Sequence, residues 1–235
     1  MSMLKNFFVG FLVIFSGSTF AQKISLEALS HPIPPRIVHQ RLIISGVIDR
    51  PIYEYLVREA ARISQVREIE LNSFGGNVEW GLKIAETIAA LHKRVVVKNG
   101  DFCASICVAL FAAGTERLIG SEVWLGVHGV RLGSDETAQF LENCARKEQG
   151  EVLFNDALKD CRDFEEKSRR RLFDITQSVF GFMERRGVSP DFSLRYFAMP
   201  TDPDWMRNGN LLRIEDWMIF AEEARALNLA TGVSL

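Results

Sequence analysis

The stretch Leu71-Asn72-Ser73-Phe74-Gly75-Gly76-Asn77-Val78 decides the fold. Glu68 to Leu71 reads as a strand, and Val78 to His92 is apolar at Val78, Leu82, Ala85, Ile88, Ala89 and Leu91, the spacing of an amphipathic helix. A strand therefore passes through a Gly-Gly turn straight into a helix. Glycines at such a turn let the backbone adopt unusual φ and approach a ligand closely. Its N–H groups can point at an oxyanion or an extended peptide. The turn lacks the Lys-Ser/Thr of a phosphate-binding loop and the spacing of a dinucleotide fingerprint.

The same alternation extends on both sides. Leu42–Val47 reads as a strand, and Pro51 can begin a helix carrying Ile52, Leu56, Ala60 and Ile63 on one face. Val95–Lys98, Arg117–Ile119 and Val123–Val127 are strand-like, and Ser105–Ala113 reads as a short helix apolar all round. Strand and helix in alternation imply a parallel-rich sheet covered by helices. Residues 22–40 form an extended lead-in, because Pro32, Pro34 and Pro35 bar a helix. Residues 134–186 are helical by pattern and dense in charge, with balanced acids and bases. Residues 187–210 are rich in loop signals, and a helix over Asp216–Asn228 closes the chain.

Composition bounds the function. The chain has 235 residues, 47% hydrophobic and 25% charged, an ordinary globular mix whose length suits one domain or at most two. A formal charge of −2 argues against a surface built to coat nucleic acid. Residues 1–21 have one Lys, an apolar run from Phe7 to Phe15 and a small-residue end at Thr19-Phe20-Ala21, the pattern of a cleaved secretory signal. The expectation is export to the periplasm or medium. The alternative is a membrane anchor over 7–20, although the apolar run is well short of the ~20 residues a span needs. Outside the cytoplasm disulfides persist. Cys103 and Cys107, read on one helix start, are poorly oriented for each other, whereas Cys144 and Cys161 can pair if the charged region folds back. No Cys/His cluster has zinc spacing, so no metal and no other cofactor is expected.

Two further segments carry chemistry. In Gly100-Asp101-Phe102-Cys103-Ala104-Ser105-Ile106-Cys107 a serine stands where a strand meets a helix, with the Ile106 N–H available as an oxyanion donor. A plain helix cap would serve equally well for that serine alone. In Gly126-Val127-His128-Gly129 a histidine ends a strand, and a nucleophilic serine needs such a base. Lys83, Lys93 and Lys98 are the lysines near enough to suggest a Ser–Lys dyad, but none sits at a strand end aimed at Ser105.

From Arg41 to Gly129 the sequence resembles the proteolytic subunit of Clp protease and its exported or membrane-associated relatives, in the Clp/crotonase superfamily. The resemblance is carried by Asn72-Ser73-Phe74-Gly75-Gly76 (Phe74 standing where the family has Pro), by Cys103-Ala104-Ser105 leading to Ala113-Gly114, by Arg117, and by His128. It implies an α/β fold of repeated ββα units in a superhelix over 41–235, with 134–186 as a handle-like helical insertion. It implies Ser105 as nucleophile, His128 as base, and Gly75, Gly76 and Ile106 around an oxyanion hole. Asp216-Trp217-Met218-Ile219-Phe220-Ala221-Glu222-Glu223-Ala224 fits the family's third-residue segment, making Asp216 the orienting carboxylate, with Asp202 and Asp204 as competitors. The implied activity is serine peptidase chemistry on a peptide or protein, and self-association is plausible. No ATP-driven unfoldase is expected outside the cytoplasm. A catalytically inactive scaffold or peptide-binding protein on the same frame is the alternative.

Overall fold

The computed structural model describes residues 26–127, 155–197 and 218–234. Helix α1 (Leu26–Leu29) and strand β1 (Arg36–Val38) precede β2 (Arg41–Ser45), α2 (Arg50–Arg58), α3 (Ala60–Ile63), β3 (Glu68–Asn72), α4 (Val78–Leu91) and β4 (Arg94–Val97). Then come β5 (Cys103–Ala104), α5 (Cys107–Ala112), β6 (Arg117–Gly120) and β7 (Trp124–Gly126). The long α6 (Asn155–Arg185), α7 (Pro190–Phe197), β8 (Met218–Phe220), α8 (Ala221–Ala226) and β9 (Gly232–Ser234) complete the described chain.

Six strands make the main sheet in the order β1-β2-β3-β4-β6-β9, and three make a smaller one in the order β5-β7-β8. From β2 onward the main sheet is parallel, with Ile44 opposite Leu71, Ile69 opposite Val95 and Val97 opposite Ile119. These residues are buried because helices cover that face, as parallel sheets require. Just past β3, Ser73 bridges in parallel to Cys103 of β5, which links the end of the main sheet to the smaller one. This is the Clp/crotonase-like α/β architecture.

Helix α4 buries Gly81, Ile84, Ala85 and Ile88 on one face. Asn77 caps its start by accepting from the Trp80 N–H at 3.0 Å, and His92 ends it in the left-handed conformation. All six residues of α5 are buried, so an all-round apolar helix is what its position demands.

Three sequence expectations are corrected. The lead-in is not wholly extended: it holds α1, and β1 pairs antiparallel with β2 through a two-residue turn at His39 and Gln40. Both turn residues have positive φ (46° and 62°), the geometry that matches strand twist. Pro190 starts α7 rather than marking a loop, with the Ser189 hydroxyl accepting from the Asp191 N–H at 3.2 Å. The closing helix is shorter than its periodicity suggests. Met218–Phe220 is a strand antiparallel to β7, with Ile219 opposite Leu125 and both fully buried, and the helix begins only at Ala221. Beyond that helix, β9 joins the sheet edge, with Val233 opposite Ile119.

Arg117 ties the late elements together. It is 5% exposed and donates to the carbonyls of Gly114, Arg186, Asn228 and Leu229. These carbonyls lie at or just beyond the C-terminal ends of α5, α6 and α8. Helix C-termini carry partial negative charge, so their convergence compensates a buried cation without a carboxylate. Burial, and next the charge of Arg186, push the Arg117 guanidinium below its ordinary pKa.

Candidate active site

Ser105 sits between β5 and α5 in a left-handed conformation, φ +57°. The sequence reading starts the helix at Ser105. In the structure α5 begins at Cys107, with Ile106 in the capping position. A β-carbon makes the left-handed region costly for a non-glycine residue, by about 1–3 kcal/mol, and such residues cluster at functional sites. What holds Ser105 there is visible. Its N–H donates to the Gly126 carbonyl at 2.7 Å. On the N-terminal side, Ala104 N–H bonds the Ser73 carbonyl at 3.0 Å and Cys103 pairs with Leu125.

The cysteines correct another expectation. Cys103 and Cys107 form a disulfide, with Cα atoms 5.3 Å apart. The unfavourable orientation assumed one continuous helix start. The left-handed turn at Ser105 instead folds the chain back and brings the two sulfurs together. Cys161 on α6 is also disulfide-bonded, and its expected partner Cys144 lies outside the described residues.

The Gly-Gly turn lies directly against this serine. A β-carbon on Gly75 would sit 2.6 Å from Ser105 Cβ and 3.2 Å from Ser105 Oγ. Gly75 has φ +103°, and its N–H is taken by the Ser73 hydroxyl at 2.9 Å. That hydroxyl donates in turn to the Gly46 carbonyl at 2.6 Å. Gly76 is different. Its neighbours in the chain bond Ile48: the Ile48 N–H donates to Gly75 O at 2.9 Å, and the Asn77 N–H donates to Ile48 O at 2.8 Å. In a parallel pairing the residue between two such bonds turns its own N–H and C=O to the opposite side. Gly76 cannot retreat, because a β-carbon there would meet Ile48 backbone at 2.2 Å. Among the described residues neither the Gly76 N–H nor the Ile106 N–H has an acceptor. Of the two glycines, Gly76 is thus the one with a donor to offer.

Ile106 is fixed from behind. Gly81 of α4 lies so close that a β-carbon there would be 2.2 Å from Ile106 Cγ1. Phe74, in the turn, stacks at a tilt on Phe102 with ring centroids 5.1 Å apart, and Phe102 meets Trp124 edge-on at 5.6 Å. These three rings border the turn segments that precede Gly75 and Cys103.

The lysines are engaged elsewhere. Lys98 pairs with Glu70, Lys93 donates to the Ser64 carbonyl at 2.8 Å, and Lys83 lies over the Trp80 ring at 4.4 Å. His128 follows Val127, two residues beyond the carbonyl that Ser105 bonds, and lies outside the described residues. Asp216, Asp202 and Asp204 also lie outside them, as does the apolar segment 1–21. The structure therefore brings together Ser105, Ile106, Gly75 and Gly76. Two features escape the sequence reading: the disulfide and the Ser73 hydroxyl that seats Gly75. Ser73 has a signal, since it stands beside a glycine pair at a strand end.

Fold and turn geometry together define an α/β chain of the Clp/crotonase type with a serine elbow over a Gly-Gly turn. Among solved structures it is similar to a point mutant of ClpP1 from Listeria monocytogenes, with a TM-score of 0.53, 14% identity, and coverage of 83% of this chain and 91% of that one. ClpP1 without that substitution, from the same organism, covers the same shares at a TM-score of 0.43. Among curated proteins it is similar to the translocation-enhancing protein TepA of Halalkalibacterium halodurans, 31% identical over 100 residues. That alignment takes in 38% of this chain and 39% of TepA, so the chain spans about two fifths of the relative it matches. No protein-family profile matches the chain.

Proposed function

We propose that the chain is a serine peptidase of the Clp-like type that works without an ATP-driven unfoldase. The observation that carries this reading is the left-handed Ser105 packed on Gly75, flanked by the unpaired N–H groups of Gly76 and Ile106. An oxyanion needs two fixed donors beside the nucleophile, set before the reaction begins. In the proposed cycle His128 takes the Ser105 Oγ proton as Oγ attacks the peptide carbonyl carbon. The C=O electron pair moves onto oxygen between the two N–H groups. Collapse expels the amine, which takes the proton from His128. Water, deprotonated by His128, then cleaves the ester and returns Ser105 to its hydroxyl form. Asp216 is the carboxylate proposed to orient His128, with Asp202 and Asp204 as its rivals. The substrate strand lies along Gly75–Gly76 and bonds its free main-chain edge.

Residues 1–21 are proposed as a secretory signal that delivers the chain outside the cytoplasm, where two disulfides suit it. Among the described residues no helix is long and apolar enough to cross a membrane. The charged helical region containing α6 is proposed as a contact between copies of the chain. The test of the central reading is a fluorophosphonate probe on the oxidised protein. Labelling at Ser105, abolished in Ser105→Ala and slowed at least about 10³-fold in His128→Ala, supports it. A folded protein that stays unlabelled makes the chain a scaffold or peptide-binding protein instead.

A further inference from the structure

The Cys103–Cys107 disulfide closes a ring of five residues centred on Ser105. Both cysteines are fully buried, and each is anchored in a rigid element. Cys103 lies in β5, bridged to Ser73 on one side and paired with Leu125 on the other. Cys107 is the first residue of α5, whose every side chain is buried. The residues between them, Ala104, Ser105 and Ile106, carry the nucleophile and one of the two unpaired donors. Ser105 is in a conformation that its own β-carbon disfavours. A change of backbone angles at Ser105 rotates the Ser105–Ile106 peptide, and that peptide carries the Ile106 N–H. A cross-link joining the two ends of this short segment removes the freedom to make that change.

We propose that Cys103 and Cys107 are positioning residues: their disulfide holds the Ser105 turn in its reactive shape, and the site becomes competent only when the pair is oxidised. This rests on the peptidase reading above and adds a condition to it. Formation of the bond removes two electrons and two protons from the thiols, and these pass to a disulfide-bearing oxidant, which leaves as a dithiol. Because both sulfurs are buried, exchange takes place during folding, before α5 packs, and a reductant added to the folded protein leaves the bond intact. The chain is thereby inactive wherever its thiols are kept reduced and active once it folds where disulfides form.

Trypsin provides a direct test, because Asn99–Arg117 contains no internal Lys or Arg and holds Cys103, Ser105 and Cys107 together. Full-length protein is refolded with a limiting amount of oxidised glutathione, treated with a fluorophosphonate, and then alkylated and digested. Mass spectrometry reads probe and thiol state on the same peptide. The expected result is probe on disulfide-bearing peptides and at least about 10²-fold less on doubly alkylated ones, the loss that accompanies one missing oxyanion donor. The variant Cys103→Ala/Cys107→Ala should show the same loss in its limiting labelling rate, with little change in the probe concentration giving half that rate. A purely structural role would lower the folded fraction and leave the limiting rate of folded molecules unchanged. Equal probe on alkylated and disulfide-bearing peptides overturns the inference while the peptidase reading stands. Absence of probe from fully oxidised wild type overturns both.

Discussion

Gly75 and Ser105 touch through the space a side chain would need: a β-carbon on Gly75 falls 2.6 Å from Ser105 Cβ. Gly75 also has φ +103°, outside the range that side-chain-bearing residues favour. Gly75→Ala therefore meets two obstacles at once, and Ser105 is the group most able to move. The expected outcome is destabilisation of about 1–3 kcal/mol by urea melts. Fluorophosphonate labelling should fall by more than the folded fraction does. Unchanged labelling would mean that the turn and the serine are independent.

Ser73 fixes the same turn from the other side. Its buried hydroxyl donates to Gly46 O and accepts from the Gly75 N–H. Ser73→Ala leaves both groups without a partner in a place water does not reach, which costs about 1–3 kcal/mol. The freed Gly75 N–H also loosens the loop. Thermal melts should show the loss, and hydrogen exchange at Gly75 should speed up relative to β3.

Gly81 and Ile106 make a pair suited to a double-mutant cycle. Gly81→Ala forces a β-carbon into Ile106 Cγ1 and should cost about 1–3 kcal/mol by overpacking. Ile106→Ala removes that obstacle, at its own cavity cost of about 2–5 kcal/mol. The double variant should be more stable than the sum of the two losses predicts, by about 0.5–3 kcal/mol in urea melts. Simple additivity would show that α4 can shift away from the Ser105 turn.

Much of this frame is legible in the chain because its signals are local. The strands around Ile44, Ile69, Val96 and Ile119, and the helix over Val78–Leu91, follow from apolar spacing alone. The Gly-Gly turn and Ser105 stand out because each marks a strand-to-helix junction. Several of the misses depend on distant partners. Met218–Phe220 has a helical pattern, yet β7 offers its backbone a ladder, and Ile219 buries itself opposite Leu125. Gly232–Ser234 is too short for any periodicity and becomes a strand because β6 is an open edge. The disulfide is hidden by one backbone angle. A helix drawn through Ser105 separates the sulfurs, and the left-handed residue joins them. No local pattern announces a serine at positive φ. Ser105 N–H bonds Gly126 O and Ala104 N–H bonds Ser73 O, and both partners are distant in the chain.

Arg117 should matter most for the late elements of the fold. Its guanidinium serves four carbonyls at three converging helix ends, and Arg186 stands beside it, donating to Ala113 O at 3.1 Å. Arg117→Met removes the cation and leaves these carbonyls facing each other in a buried pocket. A loss of roughly 3 kcal/mol or more is expected in urea melts, from several charge-assisted bonds broken at once. Arg117→Lys should recover less than half of it, because an ammonium is a point charge and cannot span acceptors spread across a planar fork. The damage should be uneven. Leu229 O and Asn228 O hold the end of α8, so hydrogen exchange over residues 221–230 should accelerate well beyond that of β2 and β3. Acceleration spread evenly over the sheet would instead make Arg117 a general core residue. Full recovery by lysine would show that its charge, and not its fork of donors, holds the helix ends together.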